Sequence, residues 1–337
     1  MISPPRPAPL PVRIAGVGRY LPSQVVDSQR VADLCGCDGP WLERITGVGQ
    51  RRWVSGDAGE GNAAMGAAAA QEALQAAGWQ AEDVDCLIYA AGTVQQLIPD
   101  TSVYVLRALG LADRGIVAHS VHSTCLSFVT GLETAAARIA TGLSRRVLVV
   151  SSEITSGGLD FRDPESAGLF GDGAAAVALQ ASEPGQMARL ESTHFETYAS
   201  GAEWTTLKGC GTRRPPNDPQ TRREDNLFAM DGPEVLRFTL RKAPRFLRRL
   251  LGDLDRDSID CIIPHQTSKA GLDALERLGM AGDRIVRILP TLGNCVAASI
   301  PLALYEAVQS GRLQRGQRAL LVGTSAGLTL GGAVLVY

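Results

Sequence analysis

Two stretches of this chain repeat each other at a fixed distance. Gly115-Ile-Val-Ala leads to Ser123-Thr-Cys125 and an apolar helical run ending at Thr141-Gly142. Arg284-Ile-Val-Arg leads to Leu292-Gly-Asn294 and a similar run ending at Ser310-Gly311. Ile116 and Ile285, Cys125 and Asn294, and Gly142 and Gly311 are each separated by 169 residues. A constant offset predicts that one strand, turn and helix occurs twice, with Cys125 and Asn294 at matching helix starts facing one shared site. Shorter echoes extend the repeat: Asp85-Cys-Leu-Ile with Asp260-Cys-Ile-Ile, Arg146-Val-Leu-Val-Val with Arg318-Ala-Leu-Leu-Val, and Gly173-Ala-Ala-Ala-Val with Gly331-Gly-Ala-Val-Leu. A period near half the chain is too long for a stacked-repeat solenoid. Two fused α/β halves fit it.

The remaining pattern agrees with that reading. Continuous apolar runs mark strands buried on both faces at 12–17, 86–91, 147–151, 174–179, 261–264, 319–323 and 332–336. Helical patterns alternate with them at 62–77, 126–140, 233–251, 268–278 and 297–309, as in a sheet covered by helices on both sides. The alanine-rich helix at 62–77 has the propensity and the small side chains for close packing between layers. A Pro-rich tail at 1–12 is expected to be disordered. The halves then run from 13 to 184, with the cysteine, and from 185 to 337, with the histidine and asparagine. Their boundary falls near the turn-forming Ser182-Glu-Pro-Gly185. The polar stretch 198–226 reads as a surface flap beside a ligand.

Composition removes several function classes. With 337 residues, 45% of them hydrophobic, the chain can bury a large core. A formal charge of −2 does not suit a general nucleic-acid binder. Seven cysteines at no framework spacing read as reduced intracellular thiols, and with four histidines in the chain no metal-ligand set emerges. The N-terminus lacks the apolar core of a signal peptide, and no apolar run reaches the roughly 20 residues of a membrane helix. The expectation is a cytoplasmic protein with neither metal nor cofactor.

Four positions could carry chemistry. Cys125 lies between a strand and a helix, where unpaired N–H groups and the helix dipole favour a thiolate below the free value of about 8.5. A buried structural cysteine is the alternative at this position. His265 follows a buried strand in Ile262-Ile-Pro-His-Gln-Thr267, at the end of the sheet where open α/β folds place ligands. By the repeat, Ala90 is its first-half counterpart, so the architecture does not require a histidine there. Asn294 would usually be read as a helix N-cap, and its correspondence with Cys125 raises it above that. Gly323-Thr-Ser-Ala-Gly327 offers consecutive backbone N–H groups on the same side of the sheet.

Together these segments resemble the 3-oxoacyl-(acyl-carrier-protein) synthase III family of the thiolase superfamily. The likeness runs from Ile14-Ala-Gly-Val-Gly-Arg-Tyr-Leu-Pro22 to the C-terminus. It rests on Thr46-Gly-Val, the Cys125 segment, Leu169-Phe-Gly-Asp-Gly-Ala174, Met230-Asp-Gly232, Pro264-His-Gln266, Gly293-Asn294 and the terminal Gly-rich turn.

The resemblance implies a homodimer of five-layer α/β/α/β/α halves with a Cys125–His265–Asn294 site. It implies acylation of Cys125 by acyl-CoA, then decarboxylative condensation with a malonyl group on acyl carrier protein. The backbone N–H groups of Cys125 and Ala326 would form the oxyanion hole, with Ala326 standing where the family usually has glycine. Substrate contacts would come from Trp41, Arg44, Phe170, Met230 and Gly232, and carrier-protein contacts from Lys269, Arg277 and Arg249. Ile45 replaces an arginine expected beside the Thr-Gly pair. Ile98 falls where short-chain enzymes carry a phenylalanine that closes the acyl tunnel across the dimer, which implies a medium or longer acyl chain. The rival reading is an acyltransferase of the same type that passes the acyl group to a hydroxyl or amine without decarboxylation.

Overall fold

The computed structural model describes residues 8–337. In chain order the principal elements are β1 (Val12–Tyr20), α1 (Asn62–Ala77), β2 (Cys86–Ala90), α2 (Thr101–Ala108), β3 (Val117–Val121), α3 (Ser127–Ala140), β4 (Arg146–Glu153) and β5 (Gly173–Ala181). They continue with β6 (Arg189–Thr197), α4 (Gly232–Leu251), β7 (Cys261–Pro264), α5 (Lys269–Arg277), α6 (Ser299–Gln309), β8 (Arg318–Ser325) and β9 (Thr329–Val336).

One sheet has the order β1-β5-β4-β2-β3 and the other β6-β9-β8-β7. In the first, β2 is parallel to both β3 and β4, while β5 is antiparallel to β1 and β4. The second repeats that arrangement: β7 is parallel to β8, and β9 is antiparallel to β8 and β6. The place of β3 is taken there by a single parallel bridge between Ile262 and Ile285.

Five layers follow from which residues share a core. Side chains alternate across a strand, so Ile88 and Val149 face inward while Leu87, Tyr89, Leu148 and Val150 face outward. The inward set joins Ile263, Leu321 and Ala333 of the second sheet around the central helices α3 and α6. The outward set packs under α1 and α2, and Ile262, Leu320 and Val334 pack under α4. The thiolase-like α/β/α/β/α architecture is therefore built from two like halves.

The strand of β1 approaches α1 at backbone distance. A Cβ on Gly16 would lie 2.2 Å from the Ala73 carbonyl oxygen, and one on Gly18 would lie 2.2 Å from that of Ala69. Two glycines at strand spacing thus face two alanines at helix spacing, and the alanine-rich composition of α1 has its physical reason.

Some expectations need correction. The tail does not run to residue 12: residues 1–7 lie outside the described residues, but Leu10 is bridged to Leu190. The strand β6 escaped the sequence pattern because it is mostly polar, with Leu190 and Phe195 its apolar residues, and the helix α2 because it is only eight residues long. The stretch 198–226 contains a two-residue strand, Thr205–Thr206, paired with Ala229–Met230, so it is anchored and not simply a flap.

The repeat offset is not constant either. Thr124 and Val296 share an unusual backbone angle, φ 44° and 45°, and each opens a three-residue 3-10 turn running into α3 or α6. Those turns are 172 residues apart, whereas Gly142 and Gly311, at φ 74° and 75°, are 169 apart. The difference lies in helix length, 14 residues for α3 and 11 for α6. The structural counterpart of Cys125 is therefore Ala297, and Asn294 lies in the extended segment before the turn.

Replacing Gly16 by alanine is expected to destabilise the fold by about 1–3 kcal/mol through overpacking. Gly59→Ala, whose Cβ would meet nothing within 4 Å, should stay within about 0.5 kcal/mol of the parent. Urea denaturation of both variants measures the difference, and equal midpoints would remove the close-approach argument.

Candidate active site

The nucleophile's turn is fixed by hydroxyls from both halves. Ser325 Oγ, at the end of β8, donates to the Ser123 carbonyl at 2.7 Å. The Thr124 hydroxyl contacts Ser325 Oγ and, since the serine proton is committed, acts as donor. Ser127 Oγ accepts from Ser123 N–H at 2.9 Å and donates toward the Thr124 carbonyl at 2.7 Å. These bonds hold Thr124 at positive φ and aim Cys125 out of the helix start.

Burial dominates the thiol. Cys125 is pushed up to about 12, first by desolvation and second by the Glu153 carboxylate, against lowering by its own N–H and that of Ala326. The expected low-lying thiolate is thus corrected: the helix N-terminus acts in the expected direction but loses to burial. Ala326 stands in the hairpin turn between β8 and β9, where Ser325 pairs with Thr329, and not at a helix end.

His265 extends the end of β7, its N–H donating to the Val322 carbonyl at 2.8 Å. Its ring side lies over Gly323 of β8, where a Cβ would come within 2.6 Å of the His265 Cβ and 3.4 Å of Leu126 beside the nucleophile. Next to it, buried Gln266 donates to the carbonyls of Pro264 and Val286 and accepts from the N–H groups of Ile288 and Leu289. That amide pins the strand end which carries the histidine. The imidazole makes no hydrogen bond, and its Nδ1 is sealed from solvent without a partner. Desolvation pulls His265 down to about 4, so the ring is neutral at physiological pH.

Asn294 is held by its backbone and its side chain. Its N–H donates to the Leu169 carbonyl at 2.8 Å, and its own carbonyl accepts from Gly171 N–H at 3.1 Å. Its Oδ1 accepts from Val296 N–H at 2.9 Å, and one Nδ2 hydrogen goes to the Thr267 carbonyl at 3.3 Å, two residues from His265. The amide carries a second Nδ2 hydrogen, free for a ligand. Gly323 thus sets His265 beside Leu126, and Thr267 ties Asn294 to the segment that carries His265.

Glu153 was not singled out from the sequence, although a carboxylate closing the apolar strand β4 was a visible signal. Fully buried, it accepts from Gly92 N–H at 2.6 Å, Thr93 N–H at 2.8 Å, Thr93 Oγ1 at 2.7 Å and Ala297 N–H at 3.2 Å. Desolvation raises it to about 7, opposed by those donors. By the repeat of β4 in β8, Glu153 corresponds to Ser325. Each crosses to the opposite half's turn, and Glu153 occupies the N–H that corresponds to that of Cys125.

The other expected residues divide. Phe170 is bridged to Asn294 and makes an edge-on contact of 4.8 Å with Phe228. Met230 packs in the same cluster with Val296, and a Cβ on Gly232 would meet Met230 at 3.6 Å. Trp41 and exposed Arg44 lie on the short helix Gly39–Thr46, whose end at Gly47 abuts Lys269. Lys269 is paired with Asp273 at 2.5 Å and Arg277 is exposed on the same helix. Arg249 is paired with Glu196 at 2.7 Å, with Arg245 as a second partner of that carboxylate. Ile98 is 86% exposed and is not brought to Cys125 within the chain.

The chain is similar to known proteins over nearly its whole length. Residues 120–199 match the family model for 3-oxoacyl-[acyl-carrier-protein (ACP)] synthase III, and residues 252–337 match that for its C-terminal part. The chain is 36% identical over 327 residues to beta-ketoacyl-[acyl-carrier-protein] synthase III of Acidiphilium cryptum, covering 96% of this chain and 98% of that protein. It is 35% identical over 334 residues to the enzyme of that name from Synechococcus elongatus, covering 96% of each. Among solved structures, 3-oxoacyl-[acyl-carrier-protein] synthase III from Aquifex aeolicus superposes with a TM-score of 0.87 at 28% identity, over 97% of this chain and 100% of that one. The priming β-ketosynthase of the R1128 polyketide pathway superposes with the same TM-score and identity, over 99% and 98%.

The raised thiol has a direct consequence. Alkylation of Cys125 by iodoacetamide should accelerate about tenfold per pH unit from pH 6 to pH 10, because only the thiolate reacts. Peptide mass spectrometry of quenched samples follows it. A plateau near pH 8.5 would mean that burial does not control this sulfur.

Proposed function

The chain belongs to the 3-oxoacyl-[acyl-carrier-protein] synthase III family, and from that premise we propose that Cys125, His265 and Asn294 are the residues that carry its condensation. The enzyme is an acyltransferase of that type, joining an acyl group from acyl-CoA to malonyl-acyl carrier protein. Acylation comes first. The Cys125 sulfur bonds to the acyl carbonyl carbon, the carbon–sulfur bond to CoA breaks, and CoA leaves as the thiol with the proton from Cys125. Covalent holding splits one difficult condensation into two easier steps.

In the second step the malonyl thioester carbonyl accepts hydrogen bonds from the neutral imidazole of His265 and the second Nδ2 hydrogen of Asn294. The bond to the malonyl carboxylate breaks, carbon dioxide leaves, and the electron pair enters an enolate held by those donors. The enolate carbon attacks the acyl carbonyl on Cys125. The tetrahedral oxygen takes the N–H groups of Cys125 and Ala326, and collapse expels the Cys125 thiolate, which recovers a proton. Uncharged donors suit this chemistry, since fixed N–H dipoles hold the enolate oxygen more strongly than the ground-state carbonyl, whereas a cation would also stabilise the malonyl carboxylate and oppose its loss. No metal or cofactor enters these steps. The observation that carries the reading is the Ser325 hydrogen bond that sets the Ala326 turn against the turn before Cys125, with an unpartnered imidazole at the end of the adjoining strand.

The assembly follows from surface chemistry. The edge strand β3 is unpaired on one side, and Val94, Leu97, Ile98, Val103 and Val117 expose apolar surface around it. Such an edge favours pairing with another chain, which supports a homodimer in which Ile98 reaches the partner's site. The acyl carrier protein would dock near Lys269 and Arg277, which adjoin the Trp41 helix through Gly47; Arg249, engaged by Glu196, contributes less. Seven unpaired cysteines support a cytoplasmic setting, and no helix among the described residues is long and apolar enough to cross a membrane.

Replacing Cys125 by alanine is expected to abolish the acyl adduct seen by intact mass spectrometry. His265→Ala and Asn294→Ala should still acylate but lose carbon dioxide release from labelled malonyl-carrier protein by about 100-fold or more. An acyl adduct surviving in Cys125→Ala would refute the assignment.

A further inference from the structure

The buried Glu153 carboxylate, at the end of β4, lies between the turns that carry Cys125 and Asn294. Its two oxygens have separate partners. Oε2 accepts from the N–H and the hydroxyl of Thr93, at 2.8 and 2.7 Å. Oε1 accepts from Gly92 N–H at 2.6 Å and from Ala297 N–H at 3.2 Å. One atom thus joins a loop of the first half to the turn that opens α6 in the second.

Each of those two bonds leads on to a site residue. Gly92 N–H and the Ala91 carbonyl are the two ends of one planar peptide unit. That carbonyl lies 3.2 Å from Ser127 Oγ, whose single proton is shared with the Thr124 carbonyl at 2.7 Å. The Thr124 carbonyl belongs to the same peptide unit as the Cys125 N–H, the donor assigned above to the tetrahedral oxygen. On the far side, Ala297 follows Val296, and Val296 N–H holds the Asn294 amide oxygen at 2.9 Å. Gly92 lets the two sides meet closely: a Cβ there would lie 2.8 Å from Val296 Cγ1 and 3.4 Å from Glu153 Oε1.

Its charge gives this carboxylate no advantage at such a place. Burial first and Glu153 second raise the Cys125 thiol, and an anion behind a developing oxyanion opposes it. We propose that Glu153 is a positioning residue of the condensation: by holding the 91–92 peptide and the Ala297 N–H on one oxygen, it sets the Cys125 N–H and the Asn294 amide in a common frame. The inference rests on the roles given to Cys125 and Asn294 above. A glutamine cannot replace it, because an amide offers one acceptor oxygen. With that oxygen toward Gly92 and Ala297 its NH2 faces the Thr93 N–H, and turned over it faces the other two.

The test uses the purified full-length protein at pH 8 and reads two half-reactions. One is the initial rate of adduct formation on Cys125 from hexanoyl-CoA, by intact mass. The other is single-turnover carbon dioxide release from labelled malonyl-carrier protein by the acylated enzyme. Glu153→Gln should slow both by at least about tenfold, the scale of a sub-ångström misplacement, whereas loss of the charge alone would speed acylation. Glu60→Gln alters another buried carboxylate that accepts backbone N–H groups, from Ser23 and Ser55, and should leave both rates unchanged. Ser127→Ala cuts the link on the Cys125 side. It should slow acylation by itself, and in its background Glu153→Gln should slow acylation less than in the parent, because residues acting through one another are not additive. If Glu153→Gln does not fold, acylation by Ser127→Ala decides: slowing supports the relay and an unchanged rate overturns it. Equal or faster acylation by Glu153→Gln, slowing of only one half-reaction, equal slowing by Glu60→Gln, or fully additive effects with Ser127→Ala would overturn the proposal and leave Cys125 as nucleophile. No adduct on Cys125 in the parent would overturn the underlying reading as well.

Discussion

The site depends on one junction between halves: the hairpin turn of the second half that carries Ser325 and Ala326 is bonded to the Ser123–Thr124 turn just before Cys125 in the first. Everything else in the neighbourhood serves to hold that junction. Ser325 anchors the hairpin to the Ser123 carbonyl, Thr124 closes onto Ser325, and Gly323 leaves room for His265 against the same strand. Neither half could form this arrangement alone, because the two turns belong to different halves.

Duplication alone would predict two equivalent helix starts, and the two halves differ there. The reason lies at the pseudo-symmetric position. There Ala297 replaces Cys125, and the Glu153 carboxylate takes the Ala297 N–H together with those of Gly92 and Thr93. A carboxylate already fills the place where the first half keeps backbone donors open. Helix N-termini favour negative charge, and here one such terminus is satisfied internally while the other is left for a developing oxyanion. Glu153 also reaches the first site electrostatically, since it is the second cause of the raised Cys125 thiol.

Burial sets the charge state of the chemical groups. Both Cys125 and His265 are held uncharged by desolvation, one upward and one downward. An ion pair between them would stabilise the resting enzyme. Neutral groups instead leave the stabilisation to be gained when charge appears on the substrate, the condition under which fixed donors accelerate a reaction.

Sequence by itself determined the two-half α/β architecture, because periodic apolar runs and repeated Asp-Cys, Arg-Val-Leu and Gly-Ala segments report locally on strands and helices. It also singled out Cys125, His265 and Asn294, and pointed to the Gly-rich turn that carries Ala326. The fixed spacing that first paired Cys125 with Asn294 was misleading: α6 is shorter than α3, so a register that holds at the helix ends fails at their starts. Only the tertiary structure decided that Ala297 is the true counterpart, that Glu153 fills the second site, and that the thiol rises instead of falling. Those outcomes depend on how many atoms surround a group and which donors arrive from distant strands, and neither is encoded in the spacing of residues along the chain.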